Sequence, residues 1–305
     1  MKTVVRIHFD ADDVPGGPQT VLGPAGCGDD VARIEPVPAL KLVDVWVTLE
    51  ETDPRASALL ELLAHHRVDW SEWHEDVFSE EEKESAPLLL LRPNRGCEVD
   101  GGVEWGTTFD LSGACPHCAT GCVQTSALFI NGEDVPKLEG HRVAQTYFWH
   151  ILIDDGLAAA LEDAGVTGLH LRAVYAVMPD RRQVKLRFRQ LDSSVILPRM
   201  SPHTSGLRRI VQSPKLRPCE VCGRNGNVYD RNAPLRAVYR APDLAGALDM
   251  NSTWENYWSA AIDREDFRQS VLSRPWTAVS PKVYRIFREA GVTELDYYPI
   301  QIEKD

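Results

Sequence analysis

The chain has 305 residues, 43% apolar and 26% charged, a balance that excludes a wholly disordered or collagen-like protein. No uninterrupted apolar run approaches the ~20 residues that cross a bilayer, and the opening residues soon meet Asp10, Asp12 and Asp13 with no signal-peptide stretch. A cytoplasmic protein is therefore expected. The net charge of −12 argues against bulk, sequence-independent nucleic-acid binding.

Val4 to Phe9 alternates as a strand. His8, with Asp10 and Asp12 at its end, is the best catalytic-metal candidate, although polar residues alternating at a strand edge account for it more simply. A second strand is expected over Leu42 to Leu49. From Glu50 to Glu84 the chain carries 12 acidic and 3 basic residues. This acidic segment reads as helical. Asp53 suits an N-cap and Pro54 the first helical position. Leu59, Leu60, Leu62 and Leu63 make an apolar stripe, and Trp70, Trp73 and Val77 recur at i, i+3 and i+7. A charge run usually keeps a surface wet, and paired tryptophans usually pack in a core. The sharper reading is a docking face for a basic partner, carried by Trp70, Glu72, Trp73, Glu75, Asp76 and Glu80.

Leu88 to Leu91 reads as a strand. Pro87, Pro93, Gly96, Gly101 and Gly102 then mark a boundary near residue 100, which divides the chain into an N-terminal region, 1–100, and a domain over 101–305. Further strands are expected over Val103 to Leu111, Val123 to Ile130, Val143 to Phe148, Val184 to Leu191 and Leu235 to Tyr239. Between Arg181 and Arg217 lie 10 basic residues and one acidic, the opposite of the N-terminal imbalance.

The seven cysteines carry the strongest signal. An odd count without an export signal argues against a disulfide framework. Four of them form two knuckles, Cys115-Pro116-His117-Cys118 and Cys219-Glu220-Val221-Cys222-Gly223, set among turn formers. Two intervening residues let both sulfurs of a knuckle turn toward one point, as tetrahedral zinc requires. One zinc held by Cys115, Cys118, Cys219 and Cys222 is the leading reading. Two redox dithiols, or an iron–sulfur site drawing on Cys115, Cys118 and Cys122, are the alternatives. Cys27, Cys97 and Cys122 read as ordinary thiols, though Cys122 is a possible substitute ligand. Four thiolates fill the coordination sphere, so such a zinc is structural. By analogy with a cross-link, closing the ~100-residue loop between the knuckles is worth on the order of 4–5 kcal/mol.

A repeat surrounds the knuckles. Asp154 to Tyr175 matches Ser280 to Gln301. Leu157, Ala160, Leu161 and Ala164 align with Val283, Ile286, Phe287 and Ala290, one face of a helix in each case. Ala164-Gly165-Val166-Thr167-Gly168-Leu169 aligns with Ala290-Gly291-Val292-Thr293-Glu294-Leu295. Gly165 and Gly291 suit left-handed helix stops, and a strand follows each. The fold class expected is α+β: two pseudo-repeated knuckle–strand–helix–strand modules bridged by one four-cysteine zinc site, plus an acidic N-terminal α/β region.

With both knuckles, the helix end at Ala164 to Leu169 and the closing Ala290 to Ile300 in view, residues 105–305 resemble the double-CXXCG proteins of myxobacteria, related to immunity proteins for swarm-inhibition toxins. The resemblance implies zinc ligation by the paired cysteines and protection of a cell by binding a cognate toxin. The sequence departs from the family pattern in two places. Ala119, not Gly, follows the first knuckle, and the first ~100 residues lie beyond it.

No signature of an active site is found: no G-x-S-x-G, no phosphate-binding glycine loop and no H-E-x-x-H. Pro218 to Cys222 supplies half of a deaminase signature, but no His-x-Glu precedes it. His65-His66 suits a helix end, His117 lies within the first knuckle, and His203 sits in a Pro/Ser/Gly loop. The sequence thus reads as a binding protein, not an enzyme, whose expected partner is a cognate toxin protein of basic character; no membrane partner is expected. The alternative is a zinc ribbon that contacts nucleic acid through Arg181, Arg182, Lys185, Arg187, Arg189, Arg208 and Arg209, which the net charge disfavours.

Overall fold

The computed structural model describes all residues except 38–41, 95, 212–215, 258–259, 262–272 and 304–305. The chain is mixed α+β and forms two compact units. The first is Met1–Ser79 with Tyr229–Leu235, and the second is Glu80–Val228 with Arg236–Asp305.

In the first unit, strands β1 (Lys2–Asp10), β2 (Ala32–Val37), β3 (Leu42–Glu50) and β4 (Trp70–Val77) form an antiparallel sheet in the order β2-β3-β1-β4. Side chains alternate across a strand. Val5, Ile7 and Phe9 of β1 and Val45, Val47 and Leu49 of β3 are buried in one core. Helices α1 (Gln19–Ala25) and α2 (Pro54–His66) add Val21, Leu22, Leu59 and Leu63 to it. The Asp53 carboxylate caps α2 by accepting from the Arg55 N–H at 2.9 Å, and Pro54 takes the first helical position.

Residues 70–77 are a strand, not the helix expected from their i, i+3, i+7 spacing. In register with β1, Trp70 lies opposite Phe9 and Glu72 opposite Ile7, while Trp73 lies opposite Arg6. Trp70 and Trp73 therefore point to opposite faces of the sheet. Among the expected strands, 103–111 resolves into a 3-10 turn at Val103–Trp105 and a two-residue strand. Gly102 and Gly106 flank that turn with φ of 123° and 110°, and such backbone cannot continue a strand.

The second unit begins with helix α3 (Glu80–Ser85). Strands β5 (Leu89–Pro93), β6 (Cys97–Val99), β7 (Phe109–Asp110), β8 (Val123–Gln124), β9 (Leu128–Asn131), β10 (Val143–Thr146) and β11 (Ile151–Asp154) follow, then helix α4 (Asp155–Asp163). Next come β12 (Leu169–Val177), β13 (Gln183–Ser193), β14 (Leu207–Arg209), β15 (Leu216–Arg217), β16 (Asn227–Tyr229), β17 (Val238–Tyr239), β18 (Met250–Tyr257), β19 (Ala260–Ala261) and β20 (Arg274–Val279). Helix α5 (Pro281–Glu289), β21 (Leu295–Pro299) and β22 (Gln301–Ile302) close the chain. The division at Ser79 falls before the Pro/Gly-marked boundary near residue 100, because β5 belongs to the second unit. It pairs with both β20 and β21.

The two main sheets run β6-β10-β11-β13-β12-β9 and β18-β20-β5-β21. In the first, β11 leads through α4 to β12, and β13 lies between the two strands, antiparallel to both. In the second, β20 leads through α5 to β21, and β5 lies between them, again antiparallel to both. The apolar faces of the helices meet in one core: Leu157, Ala158 and Leu161 from α4, and Val283, Tyr284 and Phe287 from α5. Both helices stop alike. Gly165 (φ 60°) and Gly291 (φ 72°) are left-handed. The Val166 N–H then donates to the Leu161 carbonyl at 3.1 Å, and the Val292 N–H to the Phe287 carbonyl at 3.0 Å. This hydrogen-bond pattern satisfies carbonyls that a helix end otherwise leaves open. Asp249 joins the first helix end to the second helix start. It accepts from Thr167 N–H at 2.9 Å and from Ser280 Oγ at 2.7 Å. Ser280 is thus held by Asp249, and unlike Asp154 it makes no side-chain cap of its own.

Candidate metal centre

Each knuckle sits in a loop between two short paired strands, the first between β7 and β8 and the second between β14 and β16. The loops are built the same way. The Ala119 N–H donates to the Cys115 carbonyl, and the Gly223 N–H to the Cys219 carbonyl, each at 2.9 Å. Both Ala119 (φ 57°) and Gly223 (φ 67°) are left-handed. The alanine that departs from the CXXCG pattern thus adopts the backbone the glycine supplies, against the Cβ crowding that makes this region unfavourable for L-residues.

The four sulfurs converge. Cys115 Sγ lies 3.9 Å from Cys219 Sγ, and Cys118 Sγ 3.7 Å from Cys222 Sγ, with all four within 4.8 Å of one another. A tetrahedral ion bonded to sulfur at ~2.3 Å requires sulfur–sulfur edges of about 3.8 Å. The four cysteines that the spacing singled out can therefore hold one metal ion. Among the described residues, no other group of three or more His, Cys, Asp or Glu side chains meets the requirement.

Buried Asn225 braces the site. Its Oδ1 accepts from the Cys219 N–H at 2.7 Å, and its Nδ2 donates to Thr120 Oγ1 at 2.9 Å and reaches Cys118 Sγ at 3.4 Å. Thr120 Oγ1 is itself 3.1 Å from Cys118 Sγ. One amide therefore orients a ligand-bearing loop and offers an N–H to a sulfur of the other knuckle, as groups behind metal ligands commonly do. The protons among the sulfurs are shared unequally. The hydrogen bond with Cys118 pulls the Cys222 thiol down to about 5, against burial. That same contact, reinforced by burial, drives Cys118 far upward.

The remaining thiols lie apart from this cluster. Cys27 packs in the first unit's core, and Cys97 Sγ donates to the Lys137 carbonyl at 3.1 Å. Burial, first of all, raises the Cys122 thiol, with Arg274 opposing it. His117 is exposed. In the first unit, His8 Nε2 is 3.0 Å from Asp44 Oδ1, and Asp10 caps the following turn by accepting from the Asp12 N–H at 2.9 Å. These contacts account for that trio structurally.

The structure divides the six expected partner-contact residues. On β4, Trp70, Glu72 and Asp76 share one face, and Trp73 and Glu75 the other. Trp70 is 40% exposed. Trp73 stacks on Trp46 at 5.5 Å, with the Arg231 guanidinium 5.0 Å from its ring centre. Asp76 is buried and accepts from Thr3 Oγ1 at 2.7 Å, and Glu75 pairs with Arg6 at 3.0 Å. Glu80 belongs to the second unit, where Tyr284 Oη donates to it and Arg288 lies 3.0 Å away. Of the basic residues, Arg189 binds Asp155 at 2.9 Å, while Lys185 and Arg187 are exposed on β13.

Fold and site together define a mixed α+β protein with a four-cysteine cluster able to hold a metal ion. No family model matches the chain, and no curated protein matches it. No described helix is long and apolar enough to cross a membrane.

Proposed function

We propose that the chain is a zinc-stapled binding protein of the double-CXXCG type, an immunity protein that neutralises a cognate bacterial toxin by direct contact in the cytoplasm. The carrying observation is the convergence of four sulfurs from two like-built loops. A centre closed by four protein ligands has no position for water or substrate, and so it serves as a scaffold. Four thiolates in a tetrahedron favour zinc among common cellular ions. The two strand–helix–strand crossings around an antiparallel strand, with their matching helix stops, support descent from a duplicated module. In this reading the knuckles of the two copies came to share one ion.

The partner is expected to be basic. In the first unit the sequence concentrates acidic residues between Glu50 and Asp76, a distribution that speeds encounter with a cation-rich surface. Trp70 and Glu72, on one face of β4, are the contact residues to test first. The basic residues favour the nucleic-acid alternative less, because Arg189 is engaged with Asp155 and Arg182 with Asp180.

The experiment is titration of the zinc-loaded chain against the products of adjacent genes, with toxicity measured in parallel. A salt-sensitive complex that abolishes toxicity supports the proposal. Retardation of nucleic acid with no protein complex would replace it with the alternative.

A further inference from the structure

Beside the metal centre, within the second unit, lies a cavity of about 340 Å³, within the size range of small-molecule sites. Cys122, Arg172, Asp192, Arg224, Asn256 and Arg274 line it. Three guanidinium groups thus face one carboxylate. That carboxylate is committed, since Asp192 Oδ2 lies 3.4 Å from Arg172 Nε and Oδ1 accepts from the Ser193 N–H at 2.9 Å. Arg224 donates through Nε to the Trp254 carbonyl at 3.0 Å, and its charge, with that of Arg199, acts on the buried Glu255 carboxyl.

Arg274 is the telling residue. Its guanidinium lies 5.0 Å from the Phe109 ring centre, and its Nη2 meets His150 Nε2. His150 Nδ1 is 2.9 Å from Thr146 Oγ1. Burial, aided by Arg274, holds His150 well below its ordinary value, so the imidazole is neutral and supplies no counter-charge. Arg274 makes no salt bridge among the described residues, and its Nε is sealed from solvent without a hydrogen-bond partner. A secluded cation without a counter-ion is strongly unfavourable. On the same wall, Asn256 is 2% exposed. Its Nδ2 donates to the Ser273 carbonyl at 2.9 Å, while its Oδ1 has no partner among the described residues.

We propose that this cavity binds a small organic oxyanion, a phosphate ester or a polycarboxylate, with Arg274 and Arg224 as its charge partners and the Asn256 oxygen accepting from a ligand hydroxyl or amine. Guanidinium groups match both anions through parallel N–H donors. The site is separate from the closed sulfur centre and does not depend on the toxin partner.

The test is calorimetric titration of the zinc-loaded full chain with inorganic phosphate and, separately, citrate, at ionic strength held constant with sodium chloride. Saturable binding of either anion is expected, and the anion that binds identifies the class. Arg274→Gln is expected to weaken binding by about tenfold or more. Because that change disturbs a packed residue, Ser194→Asp is the second variant. Ser194 lines the cavity and is exposed, so a carboxylate there repels the ligand without disturbing the fold, and a similar weakening is expected. Absence of binding by both anions, or binding unchanged in both variants, would overturn the proposal.

Discussion

Replacing Asn225 by Ala tests how the two knuckles are held together. The side chain is fully buried and makes three contacts, to the Cys219 N–H at 2.7 Å, to Thr120 Oγ1 at 2.9 Å and to Cys118 Sγ at 3.4 Å. Alanine leaves the Cys219 N–H buried without an acceptor, which costs about 1–3 kcal/mol. It also removes an N–H from a sulfur that is a thiolate when metal is bound, worth roughly 1.5–3 kcal/mol for a bond to a charged group. Some relaxation around the small hole is expected, so a net loss of about 3–4 kcal/mol is predicted, within the range for breaking a buried polar network. Because the lost groups sit directly behind the ligands, zinc affinity is expected to fall by about 10–100-fold. Urea unfolding of the zinc-loaded protein measures the first effect, and competition with a chromophoric chelator the second. A loss below about 1 kcal/mol with unchanged chelator competition would refute the idea that Asn225 braces the site.

Two further outcomes follow from other contacts. Glu80 accepts from Tyr284 Oη and pairs with Lys83 and Arg288, and these bonds, Tyr284 first, hold its carboxyl down at about 2. A carboxylate with a lowered folded pKa stabilises above its unfolded value near ~4.3 and loses that contribution as pH falls toward the folded value. Chemical denaturation between about pH 5 and pH 2 should therefore show a smaller acid-induced loss in Glu80→Gln than in the parent; the difference is modest, because exposed pairs contribute little. An identical acid profile would contradict the assignment. Gly168→Ala should destabilise by about 3 kcal/mol or more, because a Cβ there would lie 2.3 Å from the Met250 carbonyl at a φ of +74°; a thermal midpoint unchanged by the substitution would show that β18 does not approach so closely.

Much of this architecture is written locally. Asp53-Pro54 begins a helix, Gly165 and Gly291 end two others, and alternating apolar residues mark β1, β3 and β13. The four-cysteine cluster is legible because two-residue spacing is a local requirement of tetrahedral binding. Residues 70–77 mislead because Trp70, Trp73 and Val77 fit a helical period, and only pairing with β1, far away in sequence, makes the segment a strand. The division into compact units departs from the Pro/Gly-marked boundary for the same reason. The strand at 89–93 finds its partners at 274–279 and 295–299, and nothing nearby in the chain announces a pairing of that reach. Gly168 shows the converse. It breaks the match with Glu294, and the reason, the close approach of the Met250 carbonyl, is visible only in three dimensions. Asn225 and Arg274 carry no sequence signal at all, since their roles arise from what the fold packs around them.

The central claim is that Cys115, Cys118, Cys219 and Cys222 share a single ion. Zinc-edge X-ray absorption on the purified chain, with metal content measured on the same sample, tests it directly. The account predicts about one zinc per chain, surrounded by four sulfurs at ~2.3 Å. Nitrogen or oxygen in the first coordination sphere, or two ions each held by one knuckle, would contradict it.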